Sequence, residues 1–497
     1  MSKSQIKTGA VLSYVAVFLN IAISFFYTPW MIRMIGVSDY GLYSLVVSFI
    51  SYFILDLGLT QTVQRFIAKY RAEGNDEAVE NLLGLITKVF LGIDTLIFLL
   101  LLIVYFFLGQ IFTGLTPEEI EKLKVLYCIS GTFSVLSFMF KPLSGTIMAY
   151  ELFIQTKWIG MLDKVGAVLL VCIALFLGAD VYALVLINGA MALLASILKY
   201  VVFRKKTKLK INFKYYDRQE LKEVFSFSIW AFGNGLAQRM RLTLIPTLLG
   251  ILSNSTEISV FSLGMTMEAM IFTMSAAING LFLPRVSILS HQGDTEAIHQ
   301  LMVRVGRLQL YLITLILSGF VIFGHQFINL WVGPQFSNTY YVLICLVFTN
   351  LVTLTQRIAD DYIFAENKIK GSSTRLFLSS LLGLIISAIL APKYGAVGCG
   401  IGTGAGLLVY TIIINFYYEQ ELHLNIKRFF KECHGKILPL LVVVFVVGLL
   451  VFSRFSIQSW GSLLVSILAY TVVFALVAYF LLFNKDEKSL VLSVVKR

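Results

Sequence analysis

The sequence has 497 residues, of which 58% are hydrophobic and only 14% are charged, and its mean hydropathy is +0.83. These values exclude a soluble protein of several domains. The formal charge of +12 is carried mainly by loops between apolar runs, so it does not indicate a nucleic-acid-binding protein. Apolar runs of about 17 to 25 residues recur along the chain, and each is long enough to cross a bilayer. The sequence therefore predicts an all-α, polytopic membrane protein.

The basic residues predict how the chain is oriented in the membrane. With the N-terminus in the cytoplasm, roughly 31 of the 40 lysines and arginines fall on cytoplasmic segments and about 5 on external ones. About fourteen runs are long enough to span, and an even number returns the C-terminus to the cytoplasm. The first run is too long for the core of a signal peptide, so we expect a retained span.

The first half of the chain holds six predicted spans. An external loop follows span 1 at about residues 33–39, and a cytoplasmic stretch at about residues 141–160 separates spans 4 and 5. The six spans lie at about residues 10–32, 40–60, 84–108, 123–140, 161–177 and 181–203.

The second half begins after the most basic loop, RKKTKLKINFKYYDRQELKE. Spans 7 to 12 begin at about residues 225, 257, 308, 340, 376 and 396, and a final pair lies at about 437–452 and 460–483. The predicted domains are an N-terminal six-helix bundle, a basic cytoplasmic linker, a C-terminal six-helix bundle and an appended helix pair, at residues 1–205, 206–224, 225–420 and 421–497.

An internal repeat relates the two halves. Residues recur at an offset of 219 positions after the second span of each half: Gly74, Glu77, Ala78, Leu82 and Lys88 correspond to Gly293, Glu296, Ala297, Leu301 and Arg307. Both copies fall on a cytoplasmic turn, so the repeats have the same orientation and predict a pseudo-two-fold axis along the membrane normal.

No catalytic or metal-binding motif is present in the sequence. The five histidines do not cluster, and the five cysteines are scattered, so we expect neither a metal site nor a cofactor. The glycine run from Gly398 to Gly406 lacks the spacing of a dinucleotide-binding loop and lies in a predicted span. Close helix packing through Gly402 and Gly406 explains it better.

Ionisable residues inside the spans are the strongest functional signal. Five lie there: Asp56, Asp94, Arg239, Arg241 and Glu268. Each is costly in a bilayer unless it faces a partner or a water-filled cavity. The two arginines are about 200° apart around a helix, so we expect one to face a cavity and the other to pair with Glu268 or Asp94. Cavity lining for an anionic substrate and buried pairs that fix packing both remain open.

Basic and acidic residues near the helix ends are weaker candidates. Arg65, Lys141, Arg357 and Asp360 lie near predicted cytoplasmic ends. Such side chains can extend to the membrane interface and remain solvated.

Two segments carry a family resemblance: GAVLSYVAVFLNIAISFFYTPWMIRMIGVSDYGLYSLVVSF and LDLGLTQTVQRFIAKYRAEG. They resemble the polysaccharide-exporter branch of the multidrug, oligosaccharidyl-lipid and polysaccharide transporter superfamily. The resemblance covers nearly the whole chain. It implies fourteen spans, two six-helix bundles plus a terminal pair, and transport by alternating access. The implied cargo is an undecaprenyl diphosphate-linked oligosaccharide, flipped across a bacterial inner or plasma membrane. Membrane lipids, a polysaccharide polymerase and a chain-length regulator are the implied partners.

The resemblance also implies roles for individual residues. The candidate substrate-binding set is Arg33, Arg65, Arg239, Arg241 and Arg357. The candidate charge-pair or ion-coupling set is Asp56, Asp94 and Glu268. Two other functions compete with this one. A cation-coupled drug exporter of the multidrug and toxin extrusion family would need carboxylates to dominate the cavity, and a membrane enzyme such as a polymerase would need a large external loop.

Overall fold

The computed structural model describes residues 3–54, 58–226, 228, 243–279, 282–366, 368–455, 457–485 and 487–489. Across these residues the chain is helical and contains no strand. Nine of the described helices are long and apolar enough to cross a membrane. The number of candidate spans among the described residues rises to eleven if each of two bent helix pairs forms one span. The predicted all-α membrane fold is confirmed, whereas the total of fourteen spans and the pseudo-two-fold axis remain predictions.

The chain divides into two compact units. The first comprises Met1–Ser262 with Ala391–Gly395, and the second comprises Leu263–Leu390 with Ala396–Arg497. The helices that begin in the first unit are α1 Lys3–Ile35, α2 Val37–Phe53, α3 Leu59–Ala72, α4 Asp76–Ile111, α5 Pro117–Phe138, α6 Lys141–Ala149, α7 Phe153–Phe176, α8 Val181–Thr207, α9 Leu244–Leu252 and α10 Ser255–Asn279.

The second unit contains the remaining helices. They are α11 Leu283–His291, α12 Thr295–Trp331, α13 Thr339–Phe348, α14 Asn350–Thr353, α15 Arg357–Ala365, α16 Ile369–Leu422, α17 Ile426–Glu432, α18 His434–Phe452 and α19 Trp460–Val477. A short 3-10 helix, Pro334–Phe336, precedes α13, and a π-helical turn, Ala478–Leu482, continues α19. The appended pair predicted at the end of the chain corresponds to α18 and α19.

The connection between α1 and α2 is shorter than the sequence indicated. An external loop was expected at residues 33–39, but α1 continues to Ile35 and α2 begins at Val37. The single residue between them, Gly36, has a φ of 90°, which glycine adopts without the steric penalty of a Cβ atom. The predicted loop is therefore wrong, because one glycine is enough to redirect the chain.

The repeat predicted at an offset of 219 residues has a structural counterpart in the turns after α3 and α11. Gly74 and Gly293 have φ values of 69° and 68°. The next residue closes each turn, because Asn75 N donates to Tyr70 O and Asp294 N donates to Leu289 O, at 3.0 and 3.1 Å. The side chains of Asn75 and Asp294 then cap α4 and α12, each accepting from the backbone N–H three residues later at 2.9 Å.

Alanine at either of these glycines is expected to destabilise the protein by about 1–2 kcal/mol. The strain comes from the backbone alone, because a Cβ at Gly74 or Gly293 would meet no atom within 4 Å. Thermal unfolding in detergent would measure it. Gly92→Ala is the control, since this helical glycine also has open space around it and alanine favours helix. Unequal losses at the two turns would contradict their equivalence.

Each unit contains a bent helix pair in which a nine-residue helix follows the bend. The angle is 42° between α5 and α6, and 61° between the α13–α14 segment and α15. These nine-residue helices begin at Lys141 and Arg357. The cytoplasmic stretch predicted at residues 141–160 is thus largely helical: Pro142 lies in the first turn of α6, where proline is tolerated, and α7 already begins at Phe153.

Glycines allow the two arms of α16 to pack closely. The helix is interrupted at Gly395, where φ is 53° and ψ is −132°. A Cβ on Gly402 would lie 2.8 Å from Gly383 O, and one on Gly406 would lie 2.9 Å from Gly383 Cα. The packing role predicted for Gly402 and Gly406 is therefore confirmed, with Gly383 as the residue that they approach.

Candidate functional site

A polar cavity of about 490 Å³ lies within the first unit. Helices α2, α5, α6 and α8 supply its walls. The lining residues are Tyr43, Val47, Ile54, Ser130, Phe133, Ser134, Ser137, Phe138, Phe140, Lys141, Ser144, Val185, Asn188, Gly189, Ala192, Ser196 and Lys199. Five serines, one asparagine and two lysines among largely apolar helices distinguish this cavity from ordinary core packing.

The α5 wall is a stripe of hydroxyl groups. Ser130, Ser134 and Ser137 are spaced four and three residues apart, which places them on one helix face. The Ser137 hydroxyl is buried and has no hydrogen-bond partner. Serine hydroxyls in helices can be satisfied by the carbonyl one turn earlier, so a hydroxyl without such a bond can still bind a ligand.

The α8 wall adds an amide and an ammonium group. Asn188, Ser196 and Lys199 recur at helical spacing along the face that lines the cavity. Gly189 permits the close approach of α8 to α5, because a Cβ there would lie 2.6 Å from the Phe133 ring. The Asn188 amide nitrogen donates to Leu184 O at 2.8 Å, so its carbonyl oxygen can accept a hydrogen bond.

Lys141 is held at the bend between α5 and α6. Its Nζ donates to the carbonyl oxygen of Ile54, at the end of α2, at 3.0 Å, and lies 5.0 Å from the Phe138 ring centroid. An ammonium group carries three donors, and the contacts to Ile54 and Phe138 are among those that orient it. Lys141 and Lys199 therefore bring two positive charges to a cavity whose described lining includes no aspartate or glutamate.

This arrangement favours a ligand with both hydroxyl and anionic groups. Hydroxyl and amide side chains exchange hydrogen bonds with sugars, while ammonium groups bind phosphate oxygens through charge-assisted hydrogen bonds. The described part of the chain shows no group of three or more histidine, cysteine, aspartate or glutamate residues that could hold a metal ion. The lining of the cavity thus offers hydroxyl, amide and ammonium groups to a ligand.

The candidate arginines in the described chain lie elsewhere. Arg33 is exposed in the last turn of α1, and Arg65 is exposed on α3. Arg357 lies 3.2 Å from Asp360 and stacks over the Phe272 ring at 5.2 Å. None of these three lines the cavity of the first unit. Their proposed contact with substrate remains a prediction.

The candidate acids have different surroundings. Asp94, on α4, is 9% exposed, and its Oδ1 has no hydrogen-bond partner. Glu268, on α10, is 5% exposed. Asp56, Arg239 and Arg241 lie outside the described residues.

The sequence interpretation missed Lys199. Lys199 lies near the end of predicted span 6, whereas the candidate site residues predicted from the sequence are all arginines, aspartates and glutamates. The available signal was the helical spacing of Asn188, Ser196 and Lys199, which places three polar groups on one face of an otherwise apolar helix.

The fold resembles that of known transporters. The inward closed conformation of the lipid II flippase MurJ matches with a TM-score of 0.70 and 13% identity, over 96% of this chain and 98% of that chain. An inward-facing multidrug resistance MATE family transporter of the MOP superfamily matches with a TM-score of 0.61 and 14% identity, over 80% and 96%. At such identities the likeness shows a shared fold.

Two sequence relatives match the chain, one over nearly its whole length and one over less than half of it. A protein described as an "uncharacterized membrane protein", EpsK of Bacillus subtilis (strain 168), is 23% identical over 96% of this chain and 95% of its own. A "probable low-salt glycan biosynthesis flippase", Agl15 of Haloferax volcanii (strain ATCC 29605 / DSM 3757), is 20% identical over 43% and 45%. The family model described as "Polysaccharide biosynthesis protein" matches residues 6–290, more than half of the chain. The chain therefore belongs to the polysaccharide biosynthesis protein family.

Proposed function

We propose that the protein is a flippase that moves undecaprenyl diphosphate-linked oligosaccharide repeat units across the bacterial cytoplasmic membrane, for cell-surface polysaccharide synthesis. The observation that carries this proposal is the serine-rich cavity with two lysines inside a bundle of apolar helices. The family match, the flippase description of Agl15 and the fold shared with MurJ support it.

Each part of this cargo matches a property of the first unit. The sugars would exchange hydrogen bonds with the serine hydroxyls and the Asn188 amide. The diphosphate would be attracted to the ammonium groups of Lys141 and Lys199. The prenyl chain is apolar and would stay in the bilayer. Alternating access would then expose the loaded cavity first to the cytoplasmic side and afterwards to the opposite side.

The residues predicted from sequence add further steps to this proposal. Arginines would attract the diphosphate as it approaches the cavity: Arg33, Arg65, Arg239, Arg241 and Arg357. Acids would partner arginines or couple flipping to an ion gradient: Asp56, Asp94 and Glu268. A polysaccharide polymerase and a chain-length regulator are the expected protein partners, because the flipped repeat unit is their substrate.

The drug-exporter alternative fits the cavity less well. An organic cation needs a carboxylate to offset its charge, whereas the described lining carries two lysines and no carboxylate. The aromatic rings of Tyr43, Phe133, Phe138 and Phe140 could attract a cation, but they would have to do so beside two positive charges. The fold shared with the MATE transporter does not separate the two functions, because one fold can serve several cargoes.

Complementation of a flippase-null strain tests the proposal. The variant Lys141→Met/Lys199→Met keeps most of both side-chain stems and removes both charges. Each charge-assisted hydrogen bond contributes about 1.5–3 kcal/mol, so we expect at least about a tenfold loss of surface polysaccharide, with lipid-linked oligosaccharide accumulating in the cell. Arg239→Ala and Arg241→Ala test the predicted arginine roles in the same assay.

The matched control is Lys205→Met/Lys206→Met, which removes two exposed charges in the last turn of α8 outside the cavity. Membrane levels of all variants are compared by immunoblot. Full complementation by the Lys141/Lys199 variant at wild-type expression would refute the cavity as the cargo site. Failure of the wild-type chain to complement, with gain of resistance to organic cations, would favour the exporter alternative.

A further inference from the structure

A second cavity of about 380 Å³ lies in the first unit, between α1 and α7. Its α1 side is formed by Ala16, Leu19, Ile23 and Asn20, so it is apolar except for one amide. This cavity is separate from the serine-rich cavity, although Lys199 lines both.

Three lysines line this second cavity: Lys157 and Lys164 of α7 and Lys199 of α8. The two α7 lysines are seven residues apart and therefore share a helix face. Lys164 Nζ donates to Asn20 Oδ1 at 2.5 Å. The Asp163 carboxylate interacts electrostatically with Lys164 and Lys199. The three lysines and Asp163 together therefore carry three positive charges and one negative charge.

The ammonium groups retain donors for a ligand. Among the ion pairs of the described residues, none involves Lys157, Lys164 or Lys199. The hydrogen bond from Lys164 to Asn20 uses one of the three N–H donors of Lys164, and an ammonium accepts no hydrogen bonds. A ligand with several acceptor oxygens on one atom, such as a phosphate, can satisfy donors on all three side chains.

The surroundings indicate a membrane interface. Trp158, next to Lys157, is 56% exposed, and tryptophan is enriched at the level of lipid headgroups. Lys199 is less than two turns from Arg204, Lys205 and Lys206 at the end of α8, so the cavity lies toward the basic end of the bundle. Basic segments at this level attract anionic lipid.

We propose that this cavity binds the headgroup of an anionic glycerophospholipid. Lys157, Lys164 and Lys199 contact the phosphate, and Ala16, Leu19 and Ile23 receive the first part of the acyl chain. The apolar α1 wall favours a lipid over free phosphate, because a soluble anion would leave that wall in contact with water. This cavity shares only Lys199 with the proposed cargo site, and the variants that test it leave Lys199 unchanged.

Lipid binding to the purified full-length chain tests this proposal. Native mass spectrometry would compare phosphatidylglycerol, phosphatidylcholine, farnesyl diphosphate and inorganic phosphate as probes. We expect phosphatidylglycerol to bind at least about tenfold more tightly than phosphatidylcholine, and Lys157→Gln/Lys164→Gln to remove that preference. Ala16→Phe keeps all three charges and fills the apolar wall, so it should weaken phosphatidylglycerol binding as well.

The control is Lys205→Gln/Lys206→Gln, which removes the same charge from the neighbouring basic turn and should leave the preference intact. An equal loss in this control would overturn the proposal in favour of diffuse electrostatic attraction. Inorganic phosphate that binds as tightly as phosphatidylglycerol would overturn the lipid assignment. A preference for farnesyl diphosphate would reassign the cavity to the cargo. Because no transport is measured, failure here leaves the flippase proposal intact.

Discussion

Replacing Arg307 with alanine is expected to lower the free energy of unfolding by about 3–5 kcal/mol. Arg307 is 7% exposed and Glu487 is 3% exposed. The guanidinium binds both carboxylate oxygens of Glu487, at 2.6 and 2.9 Å, and also donates to Leu482 O at 3.0 Å. Alanine would leave the Glu487 carboxylate buried without its cation, which costs more than the pair itself contributes. Thermal unfolding of the detergent-solubilised protein would measure the loss.

Two further variants separate charge burial from general damage. Arg307→Met/Glu487→Leu removes both charges together, and we expect it to recover most of the stability, because no uncompensated ion remains. Arg428→Ala is the matched arginine control: Arg428 pairs with Glu296 and Glu432 at 2.8 and 2.9 Å, but 41% of its side chain is exposed, so its replacement should destabilise the protein far less than that of Arg307. Equal losses from Arg307→Ala and Arg428→Ala would contradict the buried-pair explanation.

The repeat gives Arg307 a counterpart in the first unit. Lys88 precedes Arg307 by the same 219 positions. Its Nζ donates to Tyr215 O at 2.5 Å and lies 5.9 Å from the Tyr216 ring. Lys88 thus binds a backbone carbonyl of the linker that follows α8. Arg307 binds a backbone carbonyl of the π-helical turn that continues α19. Lys88 and Arg307 thus make the same kind of contact, to a backbone carbonyl, among different neighbours.

Hydropathy and the repeat predicted the parts of the fold that depend on local sequence. The apolar runs within the described residues correspond to helices. The turns at Gly74 and Gly293 are alike because each needs a glycine at positive φ followed by a capping side chain. The sequence also predicted the close helix packing in α16, because Gly402 and Gly406 share a helix face.

The bends and the site were less accessible to sequence reasoning. A bend such as that between α5 and α6 depends on packing by neighbouring helices. Gly145, for example, approaches α3 so closely that a Cβ would lie 3.2 Å from Gln64 N, and hydropathy does not report such contacts. The cavity joins Ser134 of α5, Lys141 of α6 and Lys199 of α8. Each residue alone is unremarkable, and only tertiary packing brings them together.

Replacing Asp94 with leucine is expected to raise the free energy of unfolding by about 1–3 kcal/mol while reducing transport. Asp94 belongs to the buried stripe of α4, in line with Phe90, Ile97 and Leu101. The ring of Phe90 packs on that of Phe138 in α5, with the two ring centroids 5.3 Å apart. The buried Oδ1 of Asp94 has no hydrogen-bond partner, which is unfavourable there, and leucine would complete the apolar stripe. A charged residue retained in a membrane span at such a cost indicates a functional role.

Asp94→Asn separates that role from packing. The amide has nearly the shape of the carboxyl group but carries no charge and cannot exchange a proton, so a coupling residue should lose flipping activity in this variant at wild-type expression. Asp94→Glu keeps the carboxyl and should retain part of the activity. Asp163→Asn is the control for stability, because its carboxylate interacts with Lys164 and Lys199 and its loss should not stabilise the fold. Wild-type flipping by Asp94→Asn, measured as surface polysaccharide in a flippase-null strain, would show that Asp94 takes no part in coupling.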